Sequence, residues 1–195
     1  MIKGNLWTIW KPTIIVGLIS GVATGIVTTL IGNPDTNNLA SLLNFIVSLA
    51  MMPISVGLTL YMLKFVRKQN PDVNDLWSQF SRFVPIVLTS LIASLAIAGG
   101  FILLVIPGII LSFGLSMFQY ILADPEYSNL EKVAVLKESW RLMKGYKADF
   151  FVFGFSFFWW ILLVIITFGI AAIYVMPYMT IATVLYYENL KKLPR

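Results

Sequence analysis

Cysteine and histidine are both absent from this 195-residue chain. Without cysteine there is no disulfide framework, thiol nucleophile or thiolate metal site. Without histidine the commonest metal ligand is missing, together with the side chain that titrates near neutral pH. Charge is scarce as well: 12% of residues are Asp, Glu, Lys or Arg, against about 25% in a soluble domain. These shortages exclude many hydrolase, metalloenzyme and redox chemistries. No nucleophile–base pair, phosphate-binding glycine loop or metal-ligand spacing takes their place, so no catalytic residue, metal or cofactor is expected. The net charge of +5 does not imply a nucleic-acid partner, because the basic residues flank apolar runs.

Those runs are what the chain has in abundance. Residues 83–123 and 150–187 contain no Asp, Glu, Lys or Arg. A helix crosses hydrocarbon about 30 Å thick with roughly 20 residues, so each run is long enough to cross twice. The pattern predicts an all-α, polytopic membrane protein in one domain, six transmembrane helices in three hairpins. The spans fall at about residues 13–31, 39–65, 83–98, 101–123, 150–168 and 171–188, with interfacial amphipathic helices at about 72–82 and 128–144. The first apolar stretch is too long for a signal-peptide core and no A-x-A site follows it, so it is read as an uncleaved span.

Every Lys and Arg falls on one side of that arrangement. Lys3 and Lys11 precede the first span; Lys64, Arg67, Lys68 and Arg82 lie between the second and third. Lys132, Lys137, Arg141, Lys144 and Lys147 lie between the fourth and fifth, and Lys191, Lys192 and Arg195 follow the sixth. Cytoplasmic loops carry the Lys/Arg excess, which places both termini and both large loops in the cytoplasm and the chain in the cell membrane.

A weak threefold repeat accompanies the hairpins. Trp7, Trp77 and Trp140 each stand just before one; each hairpin holds an apolar-apolar-Pro step ending at Pro53, Pro107 or Pro177; and Tyr61, Tyr120 and Tyr186 follow. Gly99-Gly100 and Gly169 are read as outer turns, leaving Pro53, Pro107 and Pro177 as kinks inside spans. A turn at Pro107-Gly108 is the alternative for the second hairpin.

Several motifs have both a packing and a functional reading. Gly17, Gly21 and Gly25 share a face of the first span and would let another helix approach closely, within the chain or in a second copy. Asn44, Ser48 and Ser55 form a polar stripe on the second span, and Ser112, Ser116 and Gln119 one on the fourth. They would serve interhelical hydrogen bonds or line a path for a neutral solute. Ser128 and Glu131 have capping-box spacing. From there Leu130, Val133, Leu136, Trp140 and Met143 form an apolar face, with Gly145 as the stop. Trp7, Trp77, Trp140, Lys144 and Tyr186 are expected at the membrane interface, Lys144 reaching lipid phosphates. Asp124-Pro125-Glu126 reads as a helix stop.

The segment Glu138-Ser139-Trp140-Arg141-Leu142-Met143-Lys144-Gly145-Tyr146-Lys147 resembles a bacterial family of integral membrane proteins known as domain of unknown function 975. The likeness extends to Ile106-Pro107-Gly108-Ile109-Ile110, Thr167-Phe168-Gly169-Ile170, Pro177-Tyr178-Met179-Thr180 and Tyr186-Tyr187-Glu188-Asn189-Leu190, covering roughly residues 79–190. The resemblance implies a multi-span plasma-membrane protein of Gram-positive type and supplies no catalytic residues. Related membrane domains occur fused to some glycerophosphodiester phosphodiesterases. The first eighty residues depart most from the pattern. The functional expectation is a non-enzymatic protein that binds or organises membrane components, as an accessory, scaffold or protective factor. Its partners would be the lipid bilayer and other membrane proteins or a hydrophobic ligand, in an oligomeric state the sequence leaves open. The alternative is a small transporter or channel for a neutral or hydrophobic solute.

Overall fold

The computed structural model describes residues 6–31 and 38–193. The expected first outer loop at residues 32–37, together with Lys3 and Arg195, lies outside the described residues. The described chain is helical without strands: α1 Leu6–Leu30, α2 Asn38–Val66, α3 Asp75–Ser78, α4 Phe83–Leu103, α5 Val105–Gly114, α6 Phe118–Ala123, α7 Lys132–Leu142, α8 Lys147–Ser156, α9 Phe158–Ile166 and α10 Ala172–Lys192. Short 3-10 turns occupy Gln79–Arg82 and Pro125–Tyr127. Five helical stretches are long and apolar enough to cross a membrane: Trp7–Leu30, Asn38–Val66, Asp75–Leu103, Val105–Ala123 and Lys147–Ile166. The helix α10 has the length, but Tyr174, Tyr178, Tyr186, Tyr187 and Glu188 dilute its apolar character. It is also packed inward, with Val175, Pro177, Ile181, Val184, Tyr187 and Leu190 buried.

The core forms around the second half of α2. Ile54, Val56, Leu60, Met62 and Leu63 pack with Leu76 of α3, Ile86 of α4, Ile121 of α6, Leu142 of α7 and Val184 and Tyr187 of α10. In the stretch where an interfacial helix is expected before hairpin two, α3 and its 3-10 continuation fold onto α2. Gly57 makes that close approach feasible: a Cβ there would stand 2.7 Å from Leu76 Cα and 2.8 Å from Asp75 O, with the Leu76 carbonyl oxygen nearer still.

The second hairpin turns at neither expected place. The helix α4 runs through Gly99 and Gly100 and ends at Leu103; Leu104 is extended, at φ −165° and ψ 150°, and α5 begins at Val105. Pro107 is the physical cause. A proline has no N–H for the carbonyl four residues earlier and its ring crowds that carbonyl. The carbonyl in question belongs to Leu103, the last residue of α4. Pro107 therefore sits in the first turn of α5, where proline is tolerated, instead of kinking a span. The glycines serve contact: a Cβ on Gly100 would come 3.0 Å from Gly108 Cα, and one on Gly108 would come 2.9 Å from Phe101 Cα.

Two prolines inside helices release carbonyls that aromatic donors from other helices then take. Pro12 lies within α1 and frees Thr8 O, which accepts from the Tyr61 hydroxyl of α2 at 2.9 Å. Pro177 lies within α10 and frees Ile173 O, which accepts from Trp10 Nε1 of α1 at 2.8 Å. Proline thus creates a tertiary acceptor inside a helix. Trp10→Phe should lower stability by about 1 kcal/mol, the net worth of an ordinary hydrogen bond. In a Pro177→Ala background the restored backbone N–H satisfies Ile173 O, so thermal unfolding in detergent should show a smaller penalty there. Pro53 is carried inside α2 without ending it.

Because the start of α1 docks at the start of α10, the principal neighbour of the rest of α1 is α2. Among the described residues between 14 and 50 the buried side chains are Val27 and Ala40. Gly17, Gly21 and Gly25 have nothing within 4 Å of the position a Cβ would take. The expected packing of the glycine face against another helix of the same chain is therefore not formed. Gly21→Ala should change the unfolding temperature of the detergent-solubilised monomer little, within about 0.5 kcal/mol for a surface change.

Where an amphipathic helix is expected before hairpin three, α7 is shorter, and Leu136 and Met143 of the expected face are buried while Val133 and Trp140 are exposed. Ser128 and Glu131 do not form a capping box; α7 starts at Lys132 with Glu131 at the N-cap position and no side-chain cap. Its buried residues are Val135, Leu136, Ser139 and Leu142, while Val133 is exposed. The small Ser139 selects this face, donating from Oγ to Gly114 O of α5 at 3.1 Å. A Cβ on Gly114 would run into the Trp140 ring, so the absent side chain is what seats the indole.

Candidate functional site

At the end of the bundle where α2, α6 and α10 finish, one carboxylate collects four side-chain donors. Pro125 keeps the residue before it out of helical conformation. Asp124 accordingly leaves α6 at ψ 118°, and its Oδ1 accepts from Glu126 N at 3.2 Å. The carboxylate turns inward, and Asp124 is fully buried. Arg67 grips it with two parallel bonds, Nη1 to Oδ1 at 3.0 Å and Nη2 to Oδ2 at 2.7 Å. Lys191 Nζ and the Tyr187 hydroxyl also donate to Oδ2, at 2.8 and 3.0 Å.

The network extends outward from there. Arg67 Nε donates to Glu188 Oε1 at 2.9 Å, and Lys191 reaches Glu126 Oε2 at 2.5 Å. A helix-ending turn aims Arg67: the Gln69 N–H bonds Lys64 O at 2.9 Å, the Lys68 N–H bonds Phe65 O at 3.2 Å, and Lys68 occupies φ 57°. Burial alone would push Asp124 up, but the bonds from Arg67, Lys191 and the Glu126 amide outweigh it and hold the carboxyl down at about 2. For Lys191 burial works against the charged form, and the bonds to Asp124 and Glu126 prevail, raising its pKa. Arg67 is raised too, chiefly by its bonds to Asp124. The group is a clamp, ionised at neutral pH, that joins the ends of α2, α6 and α10. A smaller clamp ties α2 to α3, where buried Asp75 accepts from Lys64 Nζ at 2.5 Å and from Asp72 N at 3.0 Å.

Beside the clamp lies a cleft of about 490 Å³, lined by Arg141, Leu142, Lys144, Tyr146, Leu190 and Leu193 among others. It is bounded by the end of α7, the turn at Gly145 (φ 88°) and the end of α10. Arg141 pairs with Glu138 at 2.7 Å, largely exposed, while Lys144 is exposed without an ion-pair partner among the described residues. Nearby, Lys147 Nζ stands 3.2 Å above the centre of the Trp140 ring.

The expected polar stripes are not brought together. The helix α2 packs on α1, α3, α4, α6 and α10, whereas α5 packs on α4, α7 and α8. Their hydroxyls bond back to their own helices: Ser48 to Phe45 O at 2.7 Å, Ser55 to Met52 O at 2.7 Å, Ser112 to Gly108 O at 3.0 Å and Ser116 to Phe113 O at 2.8 Å. Asn44 Nδ2 likewise donates to Ala40 O at 3.0 Å, and Gln119 is exposed. Of the interface candidates, Trp7 and Trp77 are exposed, and Tyr186 donates to Tyr146 O at 3.4 Å. Gly169, at φ 90°, lies in the turn between α9 and α10. Among the described residues no three acidic side chains converge as a metal site. Sequence reasoning passed over Arg67, Asp124, Tyr187, Glu188 and Lys191. The one available signal was Asp124 at the end of a forty-one-residue uncharged run.

The described chain is an all-α bundle, locked at one end by ion pairs, with five helical stretches long and apolar enough to cross a membrane, an architecture compatible with a helical membrane protein. The chain belongs to the family described as protein of unknown function (DUF975), whose pattern matches residues 96–194. No curated protein and no solved structure matches the chain.

Proposed function

We propose that this chain is a six-span protein of the cell membrane, with both termini cytoplasmic, that binds and organises lipids or other membrane proteins and turns over no substrate. The observation that carries the reading is how the buried charge is used. Asp124, fully buried, is committed to Arg67 and Lys191 across three hairpins, so the most buried carboxylate acts as a fastener. The outward surfaces are apolar and aromatic, including Leu95, Ile102, Phe155, Trp159 and Ile165, which suits lipid and membrane-protein contact. The sixth span would be α10, which turns Val184 and Tyr187 toward neighbouring helices and leaves Tyr174, Tyr178 and Thr180 exposed. At about 1.5 Å per residue, the 29 residues of α2 reach beyond a hydrocarbon core about 30 Å thick, so the first hairpin crosses tilted.

Purification in mild detergent, followed by identification of retained lipids and proteins, tests this reading. A defined lipid or partner should remain bound and raise the melting temperature when added back. A protein that is consistently alone, with no lipid or partner shifting its melting, would sink it.

A further inference from the structure

We infer that the cleft between the end of α7 and the end of α10 is a binding site for the phosphate-bearing headgroup of an anionic glycerophospholipid. This rests on the reading of the bundle as a membrane-spanning, lipid-binding protein. The cleft has two chemically distinct sides. Arg141 and Lys144 supply positive charge, Tyr146 stands beside them, and the leucines at 142, 190 and 193 make the apolar side; among the described residues no carboxylate joins the lining. Leu142 and Leu190 are buried and form its floor. Such a lining matches a ligand that is anionic at one end and apolar at the other.

The cations are available to a ligand. Lys144 has no competing ion pair among the described residues. Arg141 is held by Glu138, three positions earlier on the same helix, but its side chain is 60% exposed. Exposed pairs are worth about 0–1 kcal/mol, whereas a guanidinium forms two parallel, charge-assisted bonds to a phosphate. A phosphate can therefore share or displace Glu138 at little cost. The volume, about 490 Å³, is within the range of small-molecule sites of roughly 300–1,000 Å³ and far larger than a bare phosphate ion fills. The leucines would then hold the glycerol and the first methylenes of the acyl chains.

Position agrees with chemistry. Trp140, with Lys147 above its ring, immediately precedes Arg141, and Tyr186 donates to Tyr146 O, so two residues of the cleft adjoin amphipathic aromatics of the kind that gather at headgroup depth. The neighbouring clamp fixes the C-terminal turn of α10, so Leu190 and Leu193 are presented at a set distance from Arg141. The site is preorganised by ion pairs that the ligand does not touch.

The test compares wild-type protein with the Arg141→Gln/Lys144→Gln double variant and with Lys137→Gln, an exposed lysine of α7 outside the cleft. Each is reconstituted in nanodiscs of phosphatidylcholine with or without phosphatidylglycerol, and bound lipid is counted by native mass spectrometry after release. Wild type and Lys137→Gln should retain phosphatidylglycerol selectively, and the double variant should lose on the order of tenfold or more in affinity. Melting without phosphatidylglycerol should match across the three, because the altered residues are exposed. Equal phosphatidylglycerol retention by wild type and double variant overturns this site while leaving lipid binding intact. Retention of no lipid by any of them overturns the functional reading as well. A stabilisation by inorganic phosphate or glycerol phosphate equal to that by phosphatidylglycerol overturns the lipid assignment in favour of a free phosphate ligand.

Discussion

Asp124→Ala should lower the unfolding free energy by about 3–5 kcal/mol, the usual consequence of deleting one partner from a buried ion pair. The residue is fully buried and accepts from Arg67, Lys191 and Tyr187. Removing it leaves a guanidinium and an ammonium facing each other in a partly buried site, with only Glu188 and Glu126 to offset them. The penalty comes mainly from those stranded cations, so it should not add to that of Arg67→Ala. A double-mutant cycle should return a coupling of about 0.5–3 kcal/mol. Asp124→Asn should fall between wild type and Ala, since its carbonyl oxygen still accepts one bond. Thermal unfolding in a fixed detergent reads all of these.

The same carboxylate gives a pH dependence of definite sign. Its pKa is depressed in the folded protein, to about 2 from an ordinary 3.8. The unfolded state therefore binds the proton first, and the contribution is complete above about pH 4 and lost as the pH falls toward 2. Wild-type melting temperature should drop across that window, and the Asp124→Ala variant should lose that part of the slope.

Gly57→Ala is the second large effect. Its Cβ would stand 2.7 Å from Leu76 Cα and nearer to the Leu76 carbonyl oxygen. Those are backbone atoms, so no rotamer change relieves the clash; α3 must move off α2, carrying Asp75 away from Lys64. Overpacking of this kind costs about 1–3 kcal/mol, and loss of the Lys64–Asp75 pair adds to it. Gly114→Ala provides the contrast. Its obstacle is the Trp140 ring, which is 37% exposed and can swing outward. The smaller loss there should be read as a change in tryptophan emission as well as in melting.

The long apolar helices were legible because the signal for them is local: length, apolarity and the absence of charge within one run. Other features fail that condition. Pro107 acts on a carbonyl four residues upstream, so the turn falls at Leu104 although the conspicuous residues are Gly99, Gly100 and Gly108. Two of those glycines are selected for helix–helix contact, which a sequence shows in the same letter as a turn. The inward face of α7 keeps the expected Leu136 and Met143 but takes Val135 and Ser139 in place of Val133 and Trp140, because Ser139, polar by type, is buried to meet Gly114. The ion clamp was invisible for a different reason: Arg67 lies 57 residues from Asp124 and 121 from Glu188. Its charges looked like flanking charges because they are; the fold then buries them against one another.

The account stands on the helices crossing a bilayer with the charged end facing the cytoplasm. The absence of native cysteine makes a direct measurement clean. Phe168, in the turn between α9 and α10, is 98% exposed, and Lys137 is exposed on α7. With a membrane-impermeant maleimide, Phe168→Cys should react in intact cells, and Lys137→Cys only after the cells are opened. Labelling of Lys137→Cys from outside, or equal labelling of both before and after lysis, would contradict it.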